Sequence, residues 1–231
     1  MANTVTECDA MIAACRAAKV RLSIGYRLHF DPYHQELMRL ARDKDFGAFT
    51  KMKGSFAFNM PKKVWRAEKK LAGGGALMDL GIYVIHAGCM AAGGVAPVAV
   101  TAHEGPKTRP EFFVDVEETI YWTMEYADGA TCDGMTSYQL GGNNFRADAP
   151  KGWIDFSSAF LYRGLAAETS RGPLKFDPPV NQQARQMDDF ARCVLEGRES
   201  SVPGELGRRD MRIIEAIYAA AASGKRVEVK A

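Results

Sequence analysis

The length and charge of the chain exclude several classes of protein. Its 231 residues suffice for one large domain, or for one domain with an appended segment. With 30 basic and 28 acidic side chains and a formal net charge of +2, the sequence shows no bias towards nucleic acid or an acidic membrane surface. It has no run of about 20 apolar residues and no secretory signal at its start, so we predict a cytoplasmic protein.

Cysteines and histidines give no sign of a metal centre or a disulfide framework. The cysteines are odd in number, scattered and without a CxxC pair, so we expect small buried thiols. The histidines lack the spacing of a zinc site, and we interpret them as surface or hydrogen-bonded residues, with His29 the candidate exception. The residues concerned are Cys8, Cys15, Cys89, Cys132, Cys193, His29, His34, His86 and His103.

Helical and strand patterns alternate over the first sixty residues. Residues 4–7 form a capping-box pattern that predicts a helix over 5–18. Apolar residues then alternate with polar ones over 20–30, which predicts a strand. The Asp-Pro pair that opens residues 31–42 is typical of a helix start. Apolar residues at even spacing predict a second strand over 52–60.

A basic and aromatic loop leads into the most informative stretch of the chain. Residues 61–70 carry five basic side chains around Trp65. Such a run is more often a solvated surface than a phosphate clamp, although Trp65 beside Arg66 suits a sugar or a phosphate. The triplet Gly73–Gly75 follows and opens a helix predicted over 76–92. Glycine lets the backbone approach a ligand, and the first turn of the helix offers unpaired N–H groups.

Asp79 and Tyr83 lie four residues apart in this predicted helix. The spacing places a carboxylate and a phenol on one helical face, where a proton could pass between a substrate hydroxyl and a base. His86 and Met90 follow on the same face. Spacing alone favours the structural interpretation, in which Asp79 only complements the helix dipole.

The middle of the chain predicts a meander of strands. Alternating patterns mark strands at 98–100 and 120–126, and the Asp-Gly pair at 128–129 is the strongest hairpin signal in the sequence. Turn clusters divide the following apolar runs, and 226–229 suits a last edge strand.

Two helices are predicted near the end of the chain, over 184–195 and 211–221, each ended by a glycine. Strands therefore stand grouped between helices and do not alternate with them one for one. This order predicts an α+β fold built on a large, mostly antiparallel open sheet with helices on one face.

Five segments together resemble the Gfo/Idh/MocA oxidoreductases, and within that family the glucose-fructose oxidoreductase-like members. The segments are 24–32, 65–66, 71–83, 116–129 and 203–227. The resemblance implies a Rossmann domain that binds NAD or NADP, followed by an α+β domain that covers the nicotinamide and often forms the oligomer interface. By this comparison residues 1–31 are the last helix and strand of the Rossmann domain. Residues 32–231 are then the C-terminal substrate and oligomerisation domain.

The resemblance also assigns roles to residues. The family motif D-x-G-x-[HY] is matched by residues 79–83, so Tyr83 would donate or accept the hydroxyl proton of a sugar or polyol. Asp79 would position the sugar or tune Tyr83. The residues expected near the substrate are Arg27, His29, Trp65 and Arg66, and those expected near the nicotinamide are Tyr26 and Arg27.

Part of the family machinery has no match in the sequence. Neither a glycine-rich dinucleotide loop nor the lysine of the family's Glu-Lys-Pro motif occurs, because the sequence begins at Met1, where that motif would end. We therefore expect the isolated chain not to bind NADP or NAD and to be inactive in hydride transfer.

Three hypotheses follow. The chain is the C-terminal domain of a sugar oxidoreductase, or a non-enzymatic sugar-binding or protein-assembly module, or one half of an enzyme completed by a separate Rossmann-domain chain. A strand over 20–26 without its parallel neighbours would expose an edge, so we also predict a homodimer or higher oligomer. A periplasmic location is expected instead of a cytoplasmic one if a signal and a dinucleotide domain precede this sequence.

Overall fold

The computed structural model describes residues 1–177 and 180–230, in which helices cover a single large sheet. The helices are α1 (Val5–Ala17), α2 (Pro32–Asp43), α3 (Lys69–Ala72), α4 (Ile82–Ala91), α5 (Gln182–Glu196) and α6 (Gly204–Ser223). The strands are β1 (Lys51–Ala57), β2 (Ala99–Glu104), β3 (Thr119–Glu125), β4 (Thr131–Ser137), β5 (Gly142–Ala149), β6 (Gly152–Ser158), β7 (Ala166–Thr169), β8 (Gly172–Pro173) and β9 (Val227–Glu228).

The strands of the described residues form one open sheet in the order β8-β7-β6-β5-β1-β4-β3-β2-β9. Every pairing in it is antiparallel except that of β1 with β4. The predicted α+β class with a large, mostly antiparallel open sheet is therefore confirmed, and β9 at the edge confirms the last predicted strand. The parallel pair at the centre of the sheet was not predicted.

One face of the sheet forms the core, and the opposite face is polar. A row of buried apolar side chains crosses six neighbouring strands in direct register: Val100, Met124, Cys132, Met52, Ala147 and Ile154. Helices α4 and α6 pack on this face. Strand side chains alternate between faces, and the neighbouring row on the opposite face is polar, with the charged residues Asp133, Lys53, Arg146 and Asp155 in register. The guanidinium of Arg146 donates to the carboxylate of Asp155 at 2.9 Å.

Local capping and turn signals in the sequence are confirmed. Thr4 and Glu7 form the expected reciprocal capping box at the start of α1. The carboxylate of Asp31 accepts hydrogen bonds from the first N–H groups of α2. Gly129, with a φ of +86°, makes the turn between β3 and β4. These signals depend only on neighbouring residues, which is why a single sequence reveals them.

The predicted strand over 20–30 is wrong. Ser23 makes an isolated bridge with Pro203, and Arg27–Phe30 form a 3₁₀ turn. Consecutive residues of a strand point to opposite faces, yet Arg27 and Leu28 are both buried. The guanidinium of Arg27 is drawn inward by hydrogen-bond acceptors from a distant part of the chain, and no local pattern reports them.

This correction removes the physical reason for expecting self-association. Ile24 is buried with Phe30 and Val202, so residues 20–26 present no free strand edge. Helix α1 packs on α6, and the 3₁₀ turn packs on α5. Oligomerisation stays a prediction that rests on the resemblance alone.

Residues 69–91 are long and apolar enough to cross a membrane by length and composition. That finding corrects the expectation that the chain has no such run. Of its most apolar window, 78% is buried inside the fold, and the core helix of a soluble protein meets the same criterion. The segment is therefore explained by its position between the sheet and α2.

Candidate active site

The glycine triplet is packed against the protein's own side chains. The carboxylate of Glu117 accepts hydrogen bonds from the backbone N–H groups of Gly75 at 3.1 Å and Leu77 at 2.8 Å, and from the hydroxyl of Tyr218 at 3.0 Å. A Cβ on Gly75 would lie 2.2 Å from the backbone oxygen of Glu117, and one on Gly74 would lie 2.1 Å from the Tyr218 hydroxyl. The expectation of unpaired N–H groups that face a ligand is wrong at Gly75 and Leu77, because an internal carboxylate occupies both.

A π-turn over Leu77–Gly81 connects the triplet to α4. The N–H of Ile82 donates to the carbonyl of Leu77, five residues earlier, and α4 then continues to Ala91. The predicted helix over 76–92 is confirmed in extent, although its first turn is wider than an α-helical one. Single π-turns inside helices frequently occur at functional sites.

Asp79, on the π-turn, and Tyr83, on α4, line one cavity of about 170 Å³. Tyr26, Arg27 and His86 contribute to the same wall. The structure thus brings together the carboxylate and the phenol that the motif spacing placed on one helical face. Arg27, on the 3₁₀ turn, and Tyr26, the residue before that turn, line the same cavity.

Two side chains hold the carboxylate of Asp79. The hydroxyl of Tyr138 donates to Oδ2 at 2.9 Å, and Nε of Arg66 lies 3.2 Å from the same oxygen. Burial, followed by the negative charge of Asp79, raises the pKa of Tyr138 above its ordinary value, so this phenol stays protonated and donates. The other oxygen, Oδ1, accepts no hydrogen bond within the described residues. Asp79 therefore presents a fixed carboxylate with one free oxygen.

The ring of Tyr83 is held from two sides. The ring of Phe56 lies edge-on, with centroids 5.3 Å apart, and the guanidinium carbon of Arg27 lies 4.9 Å from the Tyr83 centroid. Among the residues that the structure describes, none forms a hydrogen bond with the Tyr83 hydroxyl. The ring is fixed while its hydroxyl stays available to a ligand.

Arg27 lies at the cavity, but its donors are used inside the protein. Its guanidinium donates to Oε1 of Gln182 at 2.6 Å and to the carbonyls of Leu161 and Phe160. The ring of Tyr162 stacks on it with 4.3 Å between guanidinium carbon and centroid. Arg27 is 5% exposed, so it offers the cavity a positive charge and few free N–H groups.

The remaining residues expected near a substrate lie outside the cavity wall. The ring of His29 packs against the ring of His86 at a tilt of 45°, with the centroids 4.8 Å apart. Trp65 is 51% exposed, and the guanidinium of Arg66 packs on its ring. Arg66 reaches the cavity through its ion pair with Asp79.

The lowered pKa of His29 determines one part of how the stability of the fold depends on pH. Burial, and then the neighbouring groups of His86 and Arg209, lower the pKa of His29 to about 3. Between pH 6.5 and 3 the unfolded chain binds a proton that the folded chain does not, so the free energy of unfolding falls as the pH falls through this range. Urea denaturation at several pH values is expected to show a shallower fall for His29→Gln than for the unmodified chain. The exposed residue His103 supplies a control, His103→Gln, and equal slopes for all three proteins would contradict the prediction.

The structure gives the burial and the contacts of the cysteines and histidines discussed in the sequence analysis. No group of three or more His, Cys, Asp or Glu side chains in residues 1–177 and 180–230 is arranged to hold a metal ion. The cysteines are free, and those buried as expected are Cys8, Cys89, Cys132 and Cys193. Cys15 is only partly buried. His34 and His86 are hydrogen-bonded to aspartates, as predicted, and His103 is exposed.

Sequence reasoning missed three residues that shape the site: Tyr138, which holds Asp79, and Phe56 and Phe160, which pack near Tyr83. Tyr138 follows β4 and lies 59 residues from Asp79 in sequence. Phe56 was recognised only as part of a strand. A contact of this kind depends on sheet register, which a single sequence does not report.

A family model for the GFO/IDH/MocA C-terminal domain matches residues 34–155, which is more than half of the chain. The chain therefore belongs to the Gfo/Idh/MocA oxidoreductase family, and the resemblance found in the sequence is confirmed.

Several known proteins are similar over nearly the whole chain. Aldose-aldose oxidoreductase from Caulobacter crescentus, solved with glycerol, is 39% identical, with a TM-score of 0.94 over 99% of this chain and 70% of that one. D-xylose 1-dehydrogenase [NADP(+)] from Haloarcula marismortui is 24% identical over 95% of this chain and 63% of its own length. A second D-xylose 1-dehydrogenase, from Haloferax volcanii, is 27% identical over 96% of this chain and 69% of its own. The chain thus spans about two thirds of each relative.

NAD or NADP is implied by the family, and the described residues do not fit such a cofactor by themselves. A dinucleotide site needs a glycine-rich turn between a parallel strand and a helix whose N–H groups face the pyrophosphate. The parallel pair β1–β4 has no such turn, and Glu117 occupies the N–H groups of Gly75 and Leu77 at the helix start that follows the triplet. The described residues at the cavity supply groups that can bind a ligand and move a proton.

Proposed function

We propose that residues 1–231 form the substrate-binding and oligomerisation domain of a glucose-fructose oxidoreductase-like, NAD(P)-dependent sugar oxidoreductase. The observation that carries the proposal is the Tyr83 hydroxyl, which is free of internal hydrogen bonds within the described residues and shares a cavity with the fixed carboxylate of Asp79. Membership of the family supports the reaction class.

In this proposal the chain supplies the residues that transfer the hydroxyl proton of the substrate. Oxidation of a CH–OH group removes a hydroxyl proton as well as a hydride. In its phenolate form Tyr83 accepts that proton, and in its phenol form it donates the proton in the reverse direction. The free oxygen of Asp79 accepts a hydrogen bond from a neighbouring sugar hydroxyl and so orients the substrate. Arg66 and Tyr138 keep that carboxylate in place.

The substrate in this proposal is a single sugar or small polyol. A cavity of about 170 Å³ is small compared with typical pockets for drug-sized ligands, which measure about 300–1,000 Å³. Polar and aromatic walls of this kind suit a ligand with several hydroxyl groups. The names of the relatives, which include D-xylose 1-dehydrogenases and an aldose-aldose oxidoreductase, point to the same class.

We also propose that residues 1–231 alone do not transfer hydride. The absence of a dinucleotide cradle in the described part of the chain supports this statement, because the hydride carrier then has no platform beside Tyr83. Addition of NADPH is expected to leave nicotinamide fluorescence unchanged, and D-xylose is expected to cause no oxidation or reduction. Tight NADPH binding or sugar-dependent turnover by these residues would contradict the proposal.

Calorimetry tests sugar binding separately from turnover. D-xylose and glycerol are expected to bind weakly to the unmodified chain and about tenfold more weakly to Asp79→Asn, which keeps the shape but removes the charge. Asp133→Asn, on the polar face of the sheet, is the matched control and is expected to bind like the unmodified chain. Binding that does not depend on Asp79, or no binding of either compound, would contradict the site assignment.

A further inference from the structure

A second polar pair stands beside Tyr83 in the same cavity wall. His86 lies one turn after Tyr83 on α4, and both residues line the cavity of about 170 Å³. Nδ1 of His86 lies 2.9 Å from Oδ2 of Asp210, a fully buried residue of α6. The pair connects the cavity wall to a helix 124 residues further along the chain.

The charge of Asp210 fixes which nitrogen of His86 carries the proton. Burial alone would raise the pKa of Asp210, but hydrogen bonds and charges from His86 and Arg209 outweigh it and hold that pKa below its ordinary value. Asp210 is therefore a carboxylate, which only accepts hydrogen bonds. A guanidinium nitrogen of Arg209 also approaches Nδ1, but at 3.4 Å against 2.9 Å for the carboxylate. Nδ1 therefore carries the proton and donates a hydrogen bond to the carboxylate of Asp210.

The other ring nitrogen is then an acceptor without a donor. Burial lowers the pKa of His86 despite the opposing influence of Asp210, so the ring is neutral and Nε2 bears a lone pair. Nε2 is buried and has no hydrogen-bond partner within residues 1–177 and 180–230. An unsatisfied buried acceptor destabilises the fold, so a site that retains one is suited to a donor brought by a ligand.

His34 provides an internal comparison. Its Nδ1 lies 3.0 Å from Asp31, and its Nε2 is likewise buried without a partner in the described chain. His34 packs against the rings of Phe156 and Phe160, however, and does not line the cavity. Both histidines pair Nδ1 with an aspartate and leave Nε2 without a partner in the described chain, and of the two only His86 lines the cavity.

We propose that His86, fixed by Asp210, is a further substrate-binding residue, whose Nε2 accepts a hydrogen bond from a hydroxyl of the bound sugar or polyol. This inference rests on the proposed function, since it concerns the same cavity. It assigns the substrate three polar partners along one helix: the carboxylate of Asp79, the phenol of Tyr83 and the imidazole of His86. A ligand with hydroxyl groups on adjacent carbons can satisfy all three.

Nitrogen NMR of the histidine rings tests the proposal on the unmodified chain. Long-range ¹⁵N–¹H spectra are expected to show Nε2 of His86 unprotonated, and its signal is expected to move when D-xylose or glycerol is added. The Nε2 signal of His34 is expected to stay in place. Movement of a ¹³C signal from the Tyr83 ring without movement at His86 would overturn this proposal while leaving the proposed function intact. No movement at either residue would overturn both.

A pair of variants gives an independent measurement. The side-chain amide nitrogen of His86→Asn can replace only Nδ1, as a donor to Asp210, whereas the longer His86→Gln can place its amide oxygen, an acceptor, near the position of Nε2. Calorimetry is expected to show glycerol binding weakened about tenfold in His86→Asn and largely restored in His86→Gln. Equal affinities in both variants and the unmodified chain would overturn the proposal. If His86→Asn does not fold, the NMR experiment decides alone.

Discussion

Replacement of Tyr83 by phenylalanine is expected to lower kcat/KM for sugar oxidation by about 10²–10⁴-fold, the usual contribution of a general acid or base. The measurement belongs in a form of the protein that turns over a sugar with NAD(P). The variant keeps the aromatic ring, so its contacts with Phe56 and Arg27 stay and only the hydroxyl is lost. The fall should appear mainly in kcat, because proton transfer is affected more than sugar binding.

Tyr121→Phe is the control for that experiment. Tyr121 lies on β3 and stacks on His103, away from the cavity of Tyr83. Its variant is expected to keep kcat/KM within about twofold, since it touches none of the groups assigned to proton transfer. If Tyr83→Phe retained the full rate, the phenol would not be the proton acceptor, and the assignment of the motif in this chain would fail.

Gly75→Ala is expected to lower the free energy of unfolding by about 3 kcal/mol or more, as severe overpacking does. The added Cβ would lie 2.2 Å from the backbone oxygen of Glu117 and 2.9 Å from its carboxylate, and a backbone atom cannot rotate away. The hydrogen bonds from Gly75 and Leu77 to that carboxylate would be displaced at the same time. Urea denaturation measures the loss as a lower midpoint.

Gly141→Ala is the matched control, because its Cβ would meet no atom within 4 Å and its φ lies outside the left-handed region. Its stability is expected to change by no more than about 0.5 kcal/mol. Similar midpoints for the two variants would show that the backbone at Gly75 can shift, and the close approach to Glu117 would lose its structural importance.

Features that depend on near neighbours could be predicted from the sequence. The capping box at Thr4, the Asp31 cap of α2 and the hairpin glycine Gly129 are each decided by residues within one turn. The placement of Asp79 and Tyr83 in one cavity also follows from four-residue spacing, although the π-turn alters the geometry. Tyr138, the hydrogen-bond partner of Asp79, could not be predicted in this way, because it lies 59 residues away in sequence.

The two wrong predictions, the strand over 20–30 and the ligand-facing N–H groups at the glycine triplet, have the same origin. Residues 20–30 alternate like a strand, but the acceptors that bury Arg27 come from Phe160, Leu161 and Gln182. The glycine triplet resembled a ligand loop because nothing near it in sequence reveals Glu117 as its partner. In both cases a long-range hydrogen bond to a buried group outweighed the local pattern, and such a bond becomes visible only once the sheet is assembled.

The π-turn over Leu77–Gly81 also restricts how the length of this chain can vary. It is anchored on one side by Glu117 through Gly75 and Leu77, and on the other by the buried residues Val84 and Ile85. Each residue of an α-helix adds about 100° of rotation, so removing one residue between these anchors would turn either Asp79 or Tyr83 away from their common cavity. Insertions and deletions are therefore expected to be tolerated in the exposed loops and selected against in these five residues.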